Sequence, residues 1–240
     1  QELWKYDGTN APSMVSDINP GLSSSYPEYL TVFYGELYFQ ACANYGCELY
    51  STNGISTSMV TDLNPSGSSN PAYLTKYGPE LFFKANDGSS GSNLWKLDGS
   101  VLTKYTSVNS PQYLTVFNNE LYFQAYDITN GYELWKYGSS SAEIMVADIN
   151  PSGSSYPKYL TVVNDALYFN AYSSQGGVTT GEELWKYDGT SASLVADINS
   201  GFGDSYPADL TVFNNELYFR ASDGTNGDEL WKYDGTSASL

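Results

Sequence analysis

Two loops of the chain gather oxygen donors around a glycine: Asp127-Ile-Thr-Asn-Gly-Tyr-Glu133 and Asp223-Gly-Thr-Asn-Gly-Asp-Glu229. Carboxylate and amide oxygens at a sharp turn suit a hard cation, so Asp127 with Glu133 and Asp223 with Glu229 are candidate ligands for Ca²⁺. The spacing is not that of an EF-hand loop, and Asp or Asn beside Gly also builds an ordinary solvated turn. Asp87 to Asn93 is a weaker copy. Aromatic residues form a second set. Tyr26, Tyr156 and Tyr206 each stand before a proline and are candidate contacts for a ligand, glycans above all, because aromatic faces stack on sugar rings. Each also suits packing against its own loop. Trp4, Trp95, Trp135, Trp185 and Trp231 recur in one sequence context, where packing between repeated units explains a large aromatic better than ligand contact does. Catalysis has little to draw on. The chain contains no His, which removes the usual general base near neutral pH and the commonest transition-metal ligand. Glu182-Glu183 and Asp228-Glu229 are paired carboxylates, but the second of each pair recurs with the repeat, whereas glycosidase chemistry needs one special pair. A non-enzymatic protein is expected.

Cys42 and Cys47 are the two cysteines, and they flank Ala-Asn-Tyr-Gly where other repeats carry an acidic loop. A disulfide closing that loop and a pair of reduced thiols are both open, the first favouring an extracellular home. The net charge is −17 with 10 Lys plus Arg. So acidic a chain is repelled by nucleic acid and by anionic membrane, both bound mainly through positive charge. No run of apolar residues is long enough to span a bilayer and no signal peptide is visible, so membrane insertion is not expected. The opening Gln, in place of Met, suggests a processed start.

The elements that position these residues are repeated. Glu2-Leu-Trp-Lys-Tyr-Asp-Gly-Thr9 returns at Glu229 to Thr236, and the leucines Leu3, Leu49, Leu94, Leu134, Leu184 and Leu230 mark steps of 46, 45, 40, 50 and 46 residues. That period belongs to propellers and solenoids. Each repeat holds four short alternating runs, for example Tyr113 to Phe117, Glu120 to Ala125, Glu133 to Tyr137 and Glu143 to Ala147, here called strands A to D. Pairs such as Asn118-Asn119 and Asn214-Asn215 tolerate the positive φ of a tight A–B hairpin, and Asp-Gly marks the C–D link. A longer loop, such as Asp148 to Pro157, joins D to the next A. The pattern predicts an all-β, five-bladed β-propeller of four-stranded antiparallel blades over residues 1–240, in five repeats of about 46 residues with a partial sixth copy at 229–240. Ring closure is expected by joining the terminal strands: Glu2 to Ile18 would supply strands C and D to the blade whose A and B strands are Asp209 to Ala221. A β-solenoid is the alternative, with a usually shorter period. Alternating strand direction puts the B–C and D–A loops on one acidic face, where a localised function is expected.

Glu-Leu-Trp-x-x-Asp-Gly-Thr, followed by Asp-Ile-Asn-Pro-Gly, Ser-Ser, Tyr-Pro, Leu-Thr and Leu-Tyr-Phe, resembles the ELWxxDGT repeat family of large secreted or surface-associated proteins along essentially the whole chain. The resemblance implies a secreted or cell-surface location and repetition rather than a particular activity. The second copy departs from it, with Tyr50 for Trp and Ser51-Thr52-Asn53-Gly54 for the usual turn, and Thr106 to Pro111 shortens the D–A loop. The expectation is a multivalent recognition or adhesion module with glycans or extracellular matrix as partners. The alternative is a structural subunit of an extracellular fibre, sheath or matrix, self-associating through the spare terminal strand.

Overall fold

The computed structural model describes residues 1–138, 142–175 and 178–240. Every element among them is a β-strand, and the chain falls into two compact units, Gln1–Ser110 and Pro111–Leu240. The first unit opens with a two-stranded sheet, β1 (Leu3–Lys5) and β2 (Ser13–Ser16). Two four-stranded sheets follow: β3 (Glu28–Phe33), β4 (Glu36–Ala43), β5 (Gly46–Thr52) and β6 (Thr57–Thr61), then β7 (Ala72–Tyr77), β8 (Glu80–Asn86), β9 (Ser92–Asp98) and β10 (Val101–Tyr105). The second unit holds three more. They are β11 (Asn109–Phe117), which enters across the boundary, with β12 (Glu120–Asp127), β13 (Gly131–Tyr137) and β14 (Glu143–Ala147); β15 (Lys158–Val163), β16 (Ala166–Gln175), β17 (Val178–Tyr187) and β18 (Ala192–Ala196); and β19 (Ala208–Phe213), β20 (Glu216–Ser222), β21 (Asp228–Tyr233) and β22 (Ala238–Ser239). Each four-stranded sheet is an antiparallel meander in chain order, the pattern of a propeller blade.

The sheets number six rather than the expected five, and the expected joining of the terminal strands does not occur. β19 and β20 pair with β21 and β22, while β1 and β2 pair with each other. Glu2 to Thr9 and Glu229 to Thr236 have the same sequence, so side chains cannot decide which copy lies beside β20. Chain proximity does, since closing the short link from Ser222 to Asp228 costs far less entropy than bringing in the opposite end.

Local chemistry explains the hairpins. Asn118 and Asn119 have φ of 47° and 57°, and Asn214 and Asn215 have 51° and 63°. Both central residues of a type I′ turn lie in this left-handed region, which Asn tolerates better than other side chains. In three repeats the leucine after the repeat glutamate packs onto the following sheet: Leu49 with Leu81 and Phe83, Leu134 with Leu167 and Phe169, Leu184 with Leu217 and Phe219. The lysine after the tryptophan crosses to the glutamate that opens the neighbouring strand, at 2.8 Å in Lys136–Glu120 and 3.1 Å in Lys232–Glu216. Trp95 and Trp135 are buried, as packing between repeats expects, whereas Trp4 on the two-stranded sheet is 59% exposed. Cys42 and Cys47 face each other across β4 and β5 and form a disulfide.

Candidate functional site

The glutamate of the repeat has a structural occupation. Glu133 is fully buried; Ser155 donates its N–H to Oε1 (2.8 Å) and its hydroxyl to Oε2 (2.6 Å), and the Ile149 N–H donates to Oε2 (2.9 Å). Glu183 takes the same three bonds from Ser205 and Ile198, Glu48 from Ser69 and Leu63, and Glu2 from Ser25 and Ile18. Each carboxylate thereby clasps the D–A loop that follows it. Burial pushes the Glu133 and Glu183 carboxyls up to about 7 against the pull of these donors, and it raises Glu48 as well. In the third copy Asn93 replaces the glutamate and reaches Val108 O at 3.5 Å and Asn109 Oδ1 at 3.4 Å. Glu229 lies exposed.

The calcium candidates are therefore not brought together. Glu133 is turned into its clasp, while Asp127 accepts the N–H groups of Thr129 (2.6 Å) and Asn130 (2.9 Å) and the Asn130 amide (2.8 Å). Asp223 does the same with Thr225 and Asn226. These donors hold the Asp127 carboxyl below its ordinary range against desolvation, and they lower Asp223 in the same way. Among the described residues no group of three or more metal-ligating side chains converges.

The tyrosines lead to a different place. Tyr26, Tyr156 and Tyr206, before their prolines, have φ of 46°, 50° and 49°, and Tyr29, Tyr73, Tyr113 and Tyr159 have φ of 56° to 59°. The second group sits at a bulge near the start of strand A, where Lys158 pairs with Asn170 but Thr161 pairs with Tyr168, one extra residue on the A strand. The threonine hydroxyl closes the bulge onto the tyrosine carbonyl, at 2.9 Å from Thr161 to Tyr159. Side chains in this region cost about 1–3 kcal/mol each, and such strain concentrates at functional sites. Tyr113 and Tyr159 lie 5.6 Å apart between ring centroids and Tyr29 and Tyr73 5.5 Å, a recurring aromatic pair at one end of the A strands.

In the second unit this end opens into a cleft of about 280 Å³ between the β15–β18 and β19–β22 sheets. Tyr159 and Tyr206 line it, with two ion pairs: Lys158 to Glu182 (3.2 Å) and Arg220 to Asp228. Buried Asn170 donates to Pro207 O (3.0 Å), tying one sheet to the next. The Tyr206 hydroxyl donates to Asp204 (2.8 Å), which raises its pKa, and Asp204 also accepts the Glu182 N–H (2.7 Å). Tyr156 stacks on Tyr132 at 5.1 Å with Lys158 Nζ 5.9 Å from its ring centroid. Tyr26 is 53% exposed in the first unit, remote in sequence from these groups. Aromatic surface beside donors and acceptors of both charges suits a polyhydroxylated ligand.

Of the expected contacts, Tyr206 lines the cleft and Tyr156 braces Lys158 at its edge. Lys158, Tyr159, Glu182, Arg220 and Asp228 were not expected as site residues. A signal for Arg220 existed: it is the one arginine, at a position held by Gln40, Lys84, Gln124 and Asn170 in the other repeats.

No protein-family model matches the chain, and no curated protein sequence matches it. Solved structures do. The chain is similar to a prolyl endopeptidase (12% identity, TM-score 0.58, 88% of this chain and 34% of that one) and to a puromycin hydrolase S511A mutant complexed with PGG (14%, 0.59, 95% and 39%). It is also similar to the β-propeller domain of the Trilobed protease from Pyrococcus furiosus, described as having an open velcro topology (12%, 0.42, 90% and 84%). The chain spans 34% of the length of the first of these. At such identities the likeness bears on fold alone.

Proposed function

We propose that this chain is a non-enzymatic extracellular recognition module and that the cleft between the β15–β18 and β19–β22 sheets binds a glycan. The observation that carries this is the cleft wall, where Tyr159 and Tyr206 offer ring surface beside Glu182, Asp228, Lys158 and Arg220. Sugars present apolar ring faces and hydroxyls that both donate and accept, and those groups answer both needs. The recurring tyrosine pairs support weak sites that gain strength by multivalency. The disulfide fits an oxidising compartment, and the resemblance to ELWxxDGT repeat proteins points to the same location.

The test is a glycan array probed with the multimerised chain, followed by calorimetry on any hit. Tyr206→Asn and Arg220→Gln place at these positions residues that other repeats already carry, Asn70 and Gln124, so the fold is expected to persist. Each variant is expected to bind roughly tenfold more weakly, the loss of about one stacking or charge-assisted contact. A blank array, or an unchanged affinity in both variants, overturns the assignment.

A further inference from the structure

The cleft between the β15–β18 and β19–β22 sheets is lined by one buried polar atom whose bonding is incomplete. Asn170 is 2% exposed and donates its amide nitrogen to Pro207 O (3.0 Å), which fixes the orientation of the amide, since a carbonyl accepts only from the nitrogen end. The Asn170 Oδ1 has no hydrogen-bond partner among the described residues. An acceptor buried in this way costs stability, and most such groups in folded proteins are paired.

The preceding sheet shows how the fold meets the same need elsewhere. Gln124 takes the place of Asn170 there and donates to Pro157 O (3.0 Å), while its Oε1 accepts from Gln112 (3.3 Å). Gln112 stands just before the bulge tyrosine Tyr113, as Lys158 stands before Tyr159. In the β15–β18 sheet this position therefore carries no amide. Lys158 lies directly opposite Asn170 in the strand pairing, but its ammonium goes to Glu182, at 3.2 and 3.3 Å. Glu182 pairs with Tyr172, two residues along from Asn170, so all three side chains leave the same face of the sheet.

The cleft thus presents an unmet acceptor beside an ammonium, with ring and apolar surface from Tyr159, Tyr206, Pro207 and Ala208. Each cation lining it already holds a carboxylate, Lys158 with Glu182 and Arg220 with Asp228. A free acid or a free amine on a ligand finds no unpaired counter-charge here, and an unpaired charge is costly to bury. A neutral group that carries an N–H, a carbonyl and a small apolar end side by side answers every feature. We propose that the ligand is an N-acetylated amino sugar, its acetamido N–H donating to Asn170 Oδ1, its acetamido carbonyl accepting from Lys158 and its methyl resting against the apolar wall. The inference rests on the glycan reading of this cleft and narrows it to one class of sugar. A hydroxyl in place of the acetamido group also donates to Asn170, but it brings neither the carbonyl nor the methyl.

The test is calorimetry of the full chain with the β-1,4-linked trisaccharides of N-acetylglucosamine, glucosamine and glucose, which differ only in the substituent at one ring carbon. The acetylated sugar is expected to bind about tenfold more tightly than either of the others, the worth of roughly one added hydrogen bond. Lys158→Gln reproduces the Gln112 arrangement and gives Asn170 Oδ1 a partner inside the protein, so the preference is expected to disappear. Asn170→Lys places there the residue that Lys84 supplies in the β7–β10 sheet; it keeps a donor for Pro207 O, removes the acceptor, and is expected to abolish the preference as well. Circular dichroism establishes that each variant is folded, and the trisaccharide series on the parent chain stands without them. Equal binding of the three sugars, tighter binding of the free amine, no binding of the acetylated sugar, or a preference that survives in both folded variants overturns the inference. Glycan-array hits confined to sugars without an acetamido group overturn it alone, whereas a blank array overturns the glycan reading with it.

Discussion

Glu133→Ala and Glu183→Ala are each expected to destabilise the second unit by roughly 3 kcal/mol or more, while Glu229→Ala changes stability by less than about 0.5 kcal/mol. All three glutamates stand in the same Glu-Leu-Trp context, so the contrast isolates the clasp from the strand. Removing the Glu133 carboxylate leaves the Ser155 N–H, the Ser155 hydroxyl and the Ile149 N–H without their acceptor inside the protein, and an unsatisfied buried donor costs about 1–3 kcal/mol. Glu229 is exposed, so its side chain is solvated in place of being clasped. In thermal melts the first two substitutions are expected to lower Tm by roughly 6–12 °C. Equal effects at Glu133 and Glu229, or none at either, would show that the loop is held by its packing alone.

That contrast also marks where sequence reasoning stops. Strand existence and hairpin turns were legible because they depend on neighbours in the chain: apolar alternation for β11 to β14, and positive φ for Asn118-Asn119. The occupation of Glu133 was not, because its donors arrive from 16 and 22 residues away, and a carboxylate near a turn looks the same whether it faces a cation or two N–H groups. Which terminal copy lies beside β20 was hidden for a sharper reason, since Glu2 to Thr9 and Glu229 to Thr236 are the same string. Tyr159 escaped notice because tyrosine is a poor residue for a left-handed backbone; only the bulge and the Thr161 hydroxyl explain its placement. Tyr206 is singled out in the sequence by its proline, whereas the ion pairs beside it join residues apart in sequence and leave no local signal.

Stability is expected to rise as pH falls from 8 toward 5, and to decline again below about 4. Burial raises the folded-state pKa of Glu133 and Glu183 to about 7 from the ordinary 4.5. Between these values the folded chain holds protons that the unfolded chain has released, so raising the pH through this window lowers stability. The contribution is fully present near pH 4.5 and lost above 7, on the order of 3 kcal/mol for each group. Below pH 4 the opposite sign takes over: turn hydrogen bonds hold Asp127, Asp188, Asp223 and Asp234 below their ordinary range, so protonating them forfeits stability as pH falls. The net charge of −17 adds self-repulsion at neutral pH that acidification relieves. Denaturant melts at pH 8, 6.5, 5 and 3.5 measure the profile, and Glu133→Gln with Glu183→Gln assigns it. The double variant is expected to flatten the slope between pH 5 and 8 while keeping the loss below pH 4. A parent chain whose stability falls steadily from pH 8 to 5 would mean that the donors at each clasp outweigh burial and keep both carboxylates ionised.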